Sequence, residues 1–223
     1  MRELKVLIID DHPVIASAYV SALKKIAEKD TTYTFTITET VTIDNALQKL
    51  GDNPPSYYNL VFLDIKLPKS KDETFLSGED LGIFIRDKHP DTKIIIATTY
   101  NDNYRINSLL KSTNPDGFLI KNDMLPQDLM LGIIEAIENP PHYSKTVQQL
   151  IRKHISSDLH LDKIDRQILY ELSIGTKMKE LPKVIPMSMG GIERRKRQIK
   201  DIFEIADQDD RVLIKIAQEK GFI

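Results

Sequence analysis

Five times within the first 140 residues, a short strand-like run is followed by a segment of helical periodicity. The strand-like runs are KVLII (5–9), TFTITE (34–39), LVFLD (60–64), KIIIATT (93–99) and GFLIK (117–121). Between and after them, residues 13–29, 43–50, 78–88, 103–112 and 126–139 read as helices, the last opened by Pro126. TFTITE alternates like a half-buried strand, whereas the other four runs are continuously apolar and call for cover on both faces. That pattern predicts a doubly wound, parallel (βα)5 sheet, an α/β architecture.

After NPPHY (139–143), which stops the last of these helices, one more short helix is expected, and then the strand signal ends. From Leu161 the segments are helical: LDKIDRQILYELSIG with Gly175 as its stop, TKMKELPKVI as a short helix, a turn at PMSMGG, the basic IERRKRQIKDIFEI, and a final amphipathic stretch at 211–220. The expected organisation is an α/β domain over 1–140, a connector over 141–160 and a small all-α domain over 161–223. Charge follows the same division: 13 Lys/Arg against 11 Asp/Glu from Leu161 onward, and 18 against 22 before it. No cysteine is present, which excludes disulfides and thiolate metal sites. No run approaches the roughly 18–20 apolar residues of a membrane span. The N-terminal MRELKVLIID lacks a signal-peptide layout and enters a strand directly, so a cytoplasmic protein without membrane contact is expected.

In an open parallel sheet, binding sites form beyond the carboxyl ends of the strands. Those ends deliver Asp10 and Asp11 from the first strand, Asp64 from the third, Thr98 and Thr99 from the fourth and Lys121 from the fifth. Clustered carboxylates suit Mg²⁺, a hard ion that favours carboxylate and phosphate oxygen. Lys121 and Thr98 add a point charge and a hydroxyl for phosphoryl oxygens. With a cation neutralising its neighbours, one carboxylate can act as a nucleophile towards phosphorus.

These residues, "FLDIKLP", "IIIATT" and "GFLIK" in that order, resemble the receiver domain of two-component response regulators. The resemblance implies Asp64 as phospho-acceptor. It implies Asp10, Asp11 and Asp64 as Mg²⁺ ligands together with the backbone carbonyl of Lys66. Thr98 and Phe118 would be the switch residues and Lys121 the phosphate-binding lysine. Pro68 fits the pattern, whereas the charged loop after the acceptor is longer than the family's. A phosphatase of the haloacid dehalogenase type also uses a first-strand Asp and Mg²⁺. It requires Asp-x-Asp, however, where this chain has His12, and it leaves Asp64 without a role.

From Leu161 the chain resembles the LuxR-type helix-turn-helix domain of NarL/FixJ response regulators. Ile192, Ile199 and Phe203 form the inner stripe of the basic helix. By the resemblance, Glu193, Arg194 and Arg197 occupy base-reading positions, with Lys177, Lys179, Arg195 and Lys200 as phosphate contacts. Lys196 stands at an aliphatic position, where its stem would have to snorkel. Pro182 requires a helix beginning near 178–180. The expected protein is a DNA-binding response regulator, not an enzyme in the usual sense. It would be phosphorylated by a sensor histidine kinase, bind double-stranded DNA and act as a homodimer when active. The alternative is a C-terminal module that binds a protein instead of DNA.

Overall fold

The computed structural model describes residues 1–100, 103–123, 125–153 and 161–223. Residues 154–160 of the expected connector lie outside the described residues. The chain divides into two compact units, 1–101 with 112–154 and 102–111 with 155–223.

In the first unit the elements alternate: β1 (Arg2–Ile9), α1 (Pro13–Lys29), β2 (Tyr33–Thr40), α2 (Ile43–Gly51), β3 (Leu60–Asp64), α3 (Gly78–Lys88), β4 (Lys93–Thr98), α4 (Asn103–Thr113), β5 (Gly117–Ile120) and α5 (Pro126–Glu138). A two-residue β6 (His142–Tyr143) and α6 (Lys145–Lys153) follow. The strands form one sheet in the order β2-β1-β3-β4-β5-β6, and every pairing is parallel. The sixth strand corrects the five-strand expectation. Two residues are too few to show a period, so NPPHY is legible only as a helix stop.

Val6, Leu7, Ile8 and Ile9 are all fully buried, each side chain contributing about 1.5–3 kcal/mol of apolar burial. Alternate residues serve opposite faces. Val6, Ile8, Phe62 and Ala97 meet Tyr19, Leu23 and Ile26 of α1 and Leu129 and Ile133 of α5 in one core. The same alternation directs Asp10 and Asp64 to that face, one step beyond Ile8 and Phe62, where the strands run out of sheet. Local signals start the helices: Pro13 opens α1, the Thr42 hydroxyl accepts from the Asn45 N–H at α2, and the Ser77 hydroxyl accepts from the Glu79 N–H at α3.

In the second unit, α7 (Lys163–Ser173) begins with a reciprocal capping box between Asp162 and Asp165 and stops at Gly175, whose φ is +90°. TKMKELPKVI is not one helix. Met178–Glu180 forms a 3₁₀ turn, and α8 (Leu181–Val184) starts afresh with Pro182 in its first turn, where the missing N–H costs nothing. Then come α9 (Met189–Ile202), capped by the Ser188 hydroxyl, and α10 (Asp210–Glu219). Leu169, Ile199, Phe203, Leu213 and Phe222 form one cluster, and Ile168, Leu172, Leu181, Ile185 and Ile192 a second. The inner stripe Ile192, Ile199 and Phe203 is buried as expected.

Candidate phosphoryl-transfer site and charged helix face

The carboxyl edge of the sheet gathers the acids. Asp10 ends β1 and is 1% exposed; Asp64 ends β3 and is 2% exposed. Two such charges would repel across a dry interior without a cation. Lys121, the first residue past β5, supplies it: Nζ stands 2.6 Å from Asp64 Oδ2 and 2.8 Å from Asp10 Oδ2. Backbone N–H groups hold the other oxygens, Lys66 donating to Asp64 Oδ1 and His12 to Asp10 Oδ1, both at 3.0 Å. Burial pushes the Asp64 carboxyl above the usual carboxylate range, opposed by Lys121 and the Lys66 N–H. Asp11 is half-buried at the mouth.

An open cavity above these groups is lined by Asp11, His12, Ile15, Asp64, Lys66, Thr99, Lys121 and Asn122. Among the described residues, Asp10 Oδ2 and Asp11 Oδ1 are buried without an aligned hydrogen-bond donor. Oxygen lone pairs left open in an all-carboxylate corner fit a hard divalent cation.

Thr98 is fully buried, and its hydroxyl accepts from the Tyr100 N–H at 3.2 Å. Thr99, one residue on, lines the cavity. Phe118 is fully buried in β5, paired with Ile96 on one side and Tyr143 on the other. His12, Thr99 and Asn122 were absent from the expected site set, though each adjoins a residue that was in it.

The long segment after the acceptor is tightly organised. Ser70 is buried, its N–H donates to the Phe75 carbonyl, and its hydroxyl donates to Asp72 and accepts from the Phe75 N–H. The segment returns at Gly78, whose N–H donates to the Ile65 carbonyl. A Cβ on Gly78 would stand 1.9 Å from the Asp64 carbonyl oxygen, so only glycine fits this close approach.

On α9, Glu193, Arg194 and Arg197 are exposed, as are Lys177 and Lys179 near α8. Arg195 and Lys200 differ from them. Arg195 bonds Asp162 at 2.7 Å and Asp165 at 2.8 Å, and Lys200 donates to the Gln208 carbonyl and pairs with Asp210. Phosphate contact by either head would require breaking these bonds. Lys196 does not snorkel to water; it pairs with Asp210 at 2.8 Å.

Among the described residues, no helix is long and apolar enough to cross a membrane. No curated protein sequence matches the chain significantly. Solved structures do. One is RcsB from Salmonella enterica serovar Typhimurium bound to promoter rprA in the presence of phosphomimetic BeF3-. It has 20% identity and a TM-score of 0.68 over 96% of this chain and 98% of that one. RcsB from the same organism bound to promoter P1flhDC matches at 18% identity and TM-score 0.65, over 98% and 100% of the two chains. A two-component response regulator RcsB-DNA complex matches at 20% and 0.60, over 97% and 98%. The family model for the response regulator receiver domain matches residues 6–131, more than half the chain, and takes in all of the buried acids and Lys121. The chain belongs to the response regulator receiver domain family.

Proposed function

We propose that this protein is a DNA-binding response regulator that takes a phosphoryl group on Asp64 from a partner histidine kinase and thereby controls its own dimerisation and DNA binding. The observation that carries this reading is the buried pair Asp10 and Asp64 bridged by Lys121 at a strand edge open to a cavity.

Asp10, Asp11, Asp64 and the Lys66 carbonyl are the residues to hold Mg²⁺, which when bound neutralises charge for an incoming anionic phosphoryl group. Asp64 then bonds to phosphorus as the bond to the donor's leaving atom breaks. The Lys66 N–H keeps its carboxylate oriented, and Lys121 has an ammonium ready for a phosphoryl oxygen. Thr98 exchanges its bond with the Tyr100 N–H for one to the phosphoryl group, and repacking at Phe118 carries the change outward.

The second unit supports DNA binding through Glu193, Arg194 and Arg197 on α9, with Lys177 and Lys179 at phosphates. The full-length likeness to RcsB in promoter complexes supports the same reading, as does the related structure titled as two RcsB dimers bound to two parallel DNAs. No membrane association is proposed, and a cytoplasmic location accords with a soluble kinase-domain donor.

The test is labelling by acetyl phosphate with Mg²⁺. Wild type is expected to incorporate one phosphoryl group and Asp64→Asn none, with the variant's circular dichroism unchanged. Persistent labelling of the variant would remove Asp64 from the role.

A further inference from the structure

The acidic corner contains one donor that a magnesium ion does not call for. His12 Nδ1 lies 2.6 Å from Asp11 Oδ1, 3.4 Å from Asp10 Oδ1 and 3.8 Å from Asp64 Oδ2. One donor atom from each of Asp10, Asp11, His12 and Asp64 can be taken so that all lie within 4.8 Å of one another. An octahedral ion with bonds of about 2.1 Å sets neighbouring donors about 3 Å apart and opposite donors about 4.2 Å apart. The three His12 distances bracket the first separation and fall inside the second.

The backbone presents the ring to this corner. His12 is the cap residue of α1 in an extended conformation, φ −102° and ψ 103°, with Pro13 opening the helix behind it. Its side chain makes no capping bond to the helix. The close approach to Asp11 is not an aligned hydrogen bond, because Asp11 Oδ1 has no hydrogen-bond partner among the described residues. Asp10, 1% exposed, likewise keeps Oδ2 without an aligned donor. Two carboxylate oxygens and a ring nitrogen thus converge on the cavity side without satisfying one another.

We propose that His12 Nδ1 is a direct ligand and that this cation site takes a first-row transition ion of the Mn²⁺, Co²⁺, Ni²⁺ or Zn²⁺ class in preference to Mg²⁺. The inference rests on the acidic cation site assigned above and deepens it. Carboxylates alone serve Mg²⁺, Ca²⁺ and Mn²⁺ with little distinction, whereas an imidazole adds affinity for Ni²⁺ and Zn²⁺ and almost none for Mg²⁺. The Lys121 ammonium, paired with Asp10 and Asp64, opposes every divalent ion alike and leaves this ordering intact. Because Asp64 is in the donor set, such an ion competes with Mg²⁺ at the acceptor itself.

The experiment uses the full-length chain. Pulsed electron paramagnetic resonance of bound Mn²⁺ is expected to show ¹⁴N coupling from one imidazole, absent in His12→Ala. Calorimetric titration is expected to show Ni²⁺ affinity falling about tenfold or more in His12→Ala while Mg²⁺ affinity changes less than about threefold. Asp11→Ala is expected to weaken both ions. Mn²⁺ that binds without ¹⁴N coupling, or Ni²⁺ affinity equal in wild type and His12→Ala, overturns ligation by His12 and leaves the acidic cation site standing. Failure of wild type to bind either Mn²⁺ or Mg²⁺ overturns both readings.

Discussion

Two buried side chains show how this site balances desolvation against contact. Tyr19 is 1% exposed and stacks on Phe62 with ring centroids 4.6 Å apart, but its hydroxyl has no hydrogen-bond partner among the described residues. Burial drives its pKa upward, with the negative charges of Asp10 and Asp64 adding to the effect. Tyr19→Phe keeps the stack and removes an uncompensated hydroxyl, so stability in urea titration is expected to stay level or rise by up to about 1 kcal/mol. A loss larger than that would mean the hydroxyl is paired in solution, for example to a buried water. Lys121, 4% exposed at its side chain, is the reverse case. Lys121→Met leaves two carboxylates facing each other in the interior, and the expected loss without divalent cation is about 3 kcal/mol. Added Mg²⁺ is expected to recover part of it by binding only the folded state. Equal loss with and without Mg²⁺ would contradict placement of the cation beside these acids.

At the scale of elements, the joint between α3, β4 and β5 depends on one carboxylate. Asp116 accepts from Arg86 at 2.8 Å, from Lys93 at 3.1 Å and from the Ile94 N–H at 3.0 Å. Burial alone would raise its pKa, but the bonds from Arg86, Ile94 and Lys93 outweigh that and hold it below the usual carboxylate range. A lowered folded-state pKa stabilises the fold above the unfolded value of about 3.9, and that contribution is lost as pH falls through the folded value. Asp116→Asn is therefore expected to cost about 1–3 kcal/mol near neutral pH. The gap between variant and wild type should close below about pH 4. Thermal melts from pH 7 to pH 3 read this directly, and a gap independent of pH would refute the electrostatic account.

For the whole molecule, the prediction concerns which cations meet DNA. Each phosphate contact releases counterions, so its loss lowers the salt dependence of binding by about one unit of slope. Lys177→Ala and Lys179→Ala are expected to reduce the slope while preserving sequence preference. Arg194→Ala and Arg197→Ala are expected to remove that preference, each at about 1–3 kcal/mol. Lys200→Ala is expected to leave the slope unchanged and to lower stability instead, since Lys200 is bound to Gln208 and Asp210. Phosphodonor with Mg²⁺ is expected to raise affinity for an inverted-repeat duplex, because two recognition helices about one DNA turn apart, roughly 34 Å, need a two-fold dimer. Gel-shift titrations over a salt series check all of these. Identical binding of wild type to specific and random duplex, phosphorylated or not, would count against the DNA-binding reading.

The sequence by itself determined the parallel sheet, the strand ends that carry Asp10, Asp11, Asp64 and Lys121, the buried stripe of α9 and the stop at Gly175. These depend on period and residue type, which are local: an apolar run fixes a strand's direction into the core, and the residue at its end must lie on the rim. Tertiary structure alone decided the partners. Nothing near Gly78 in the chain announces that a Cβ there would strike the Asp64 carbonyl, because the two meet only when the long loop closes. Arg195 and Lys200 read as exposed cations of a basic helix until the fold brings Asp162, Asp165 and Asp210 beside them. The two-residue β6 exists only because β5 offers an open edge. Hydrogen bonds and ion pairs act over about 3 Å, so they are chosen by which distant segments the sheet and helices bring together, and no local pattern records that choice.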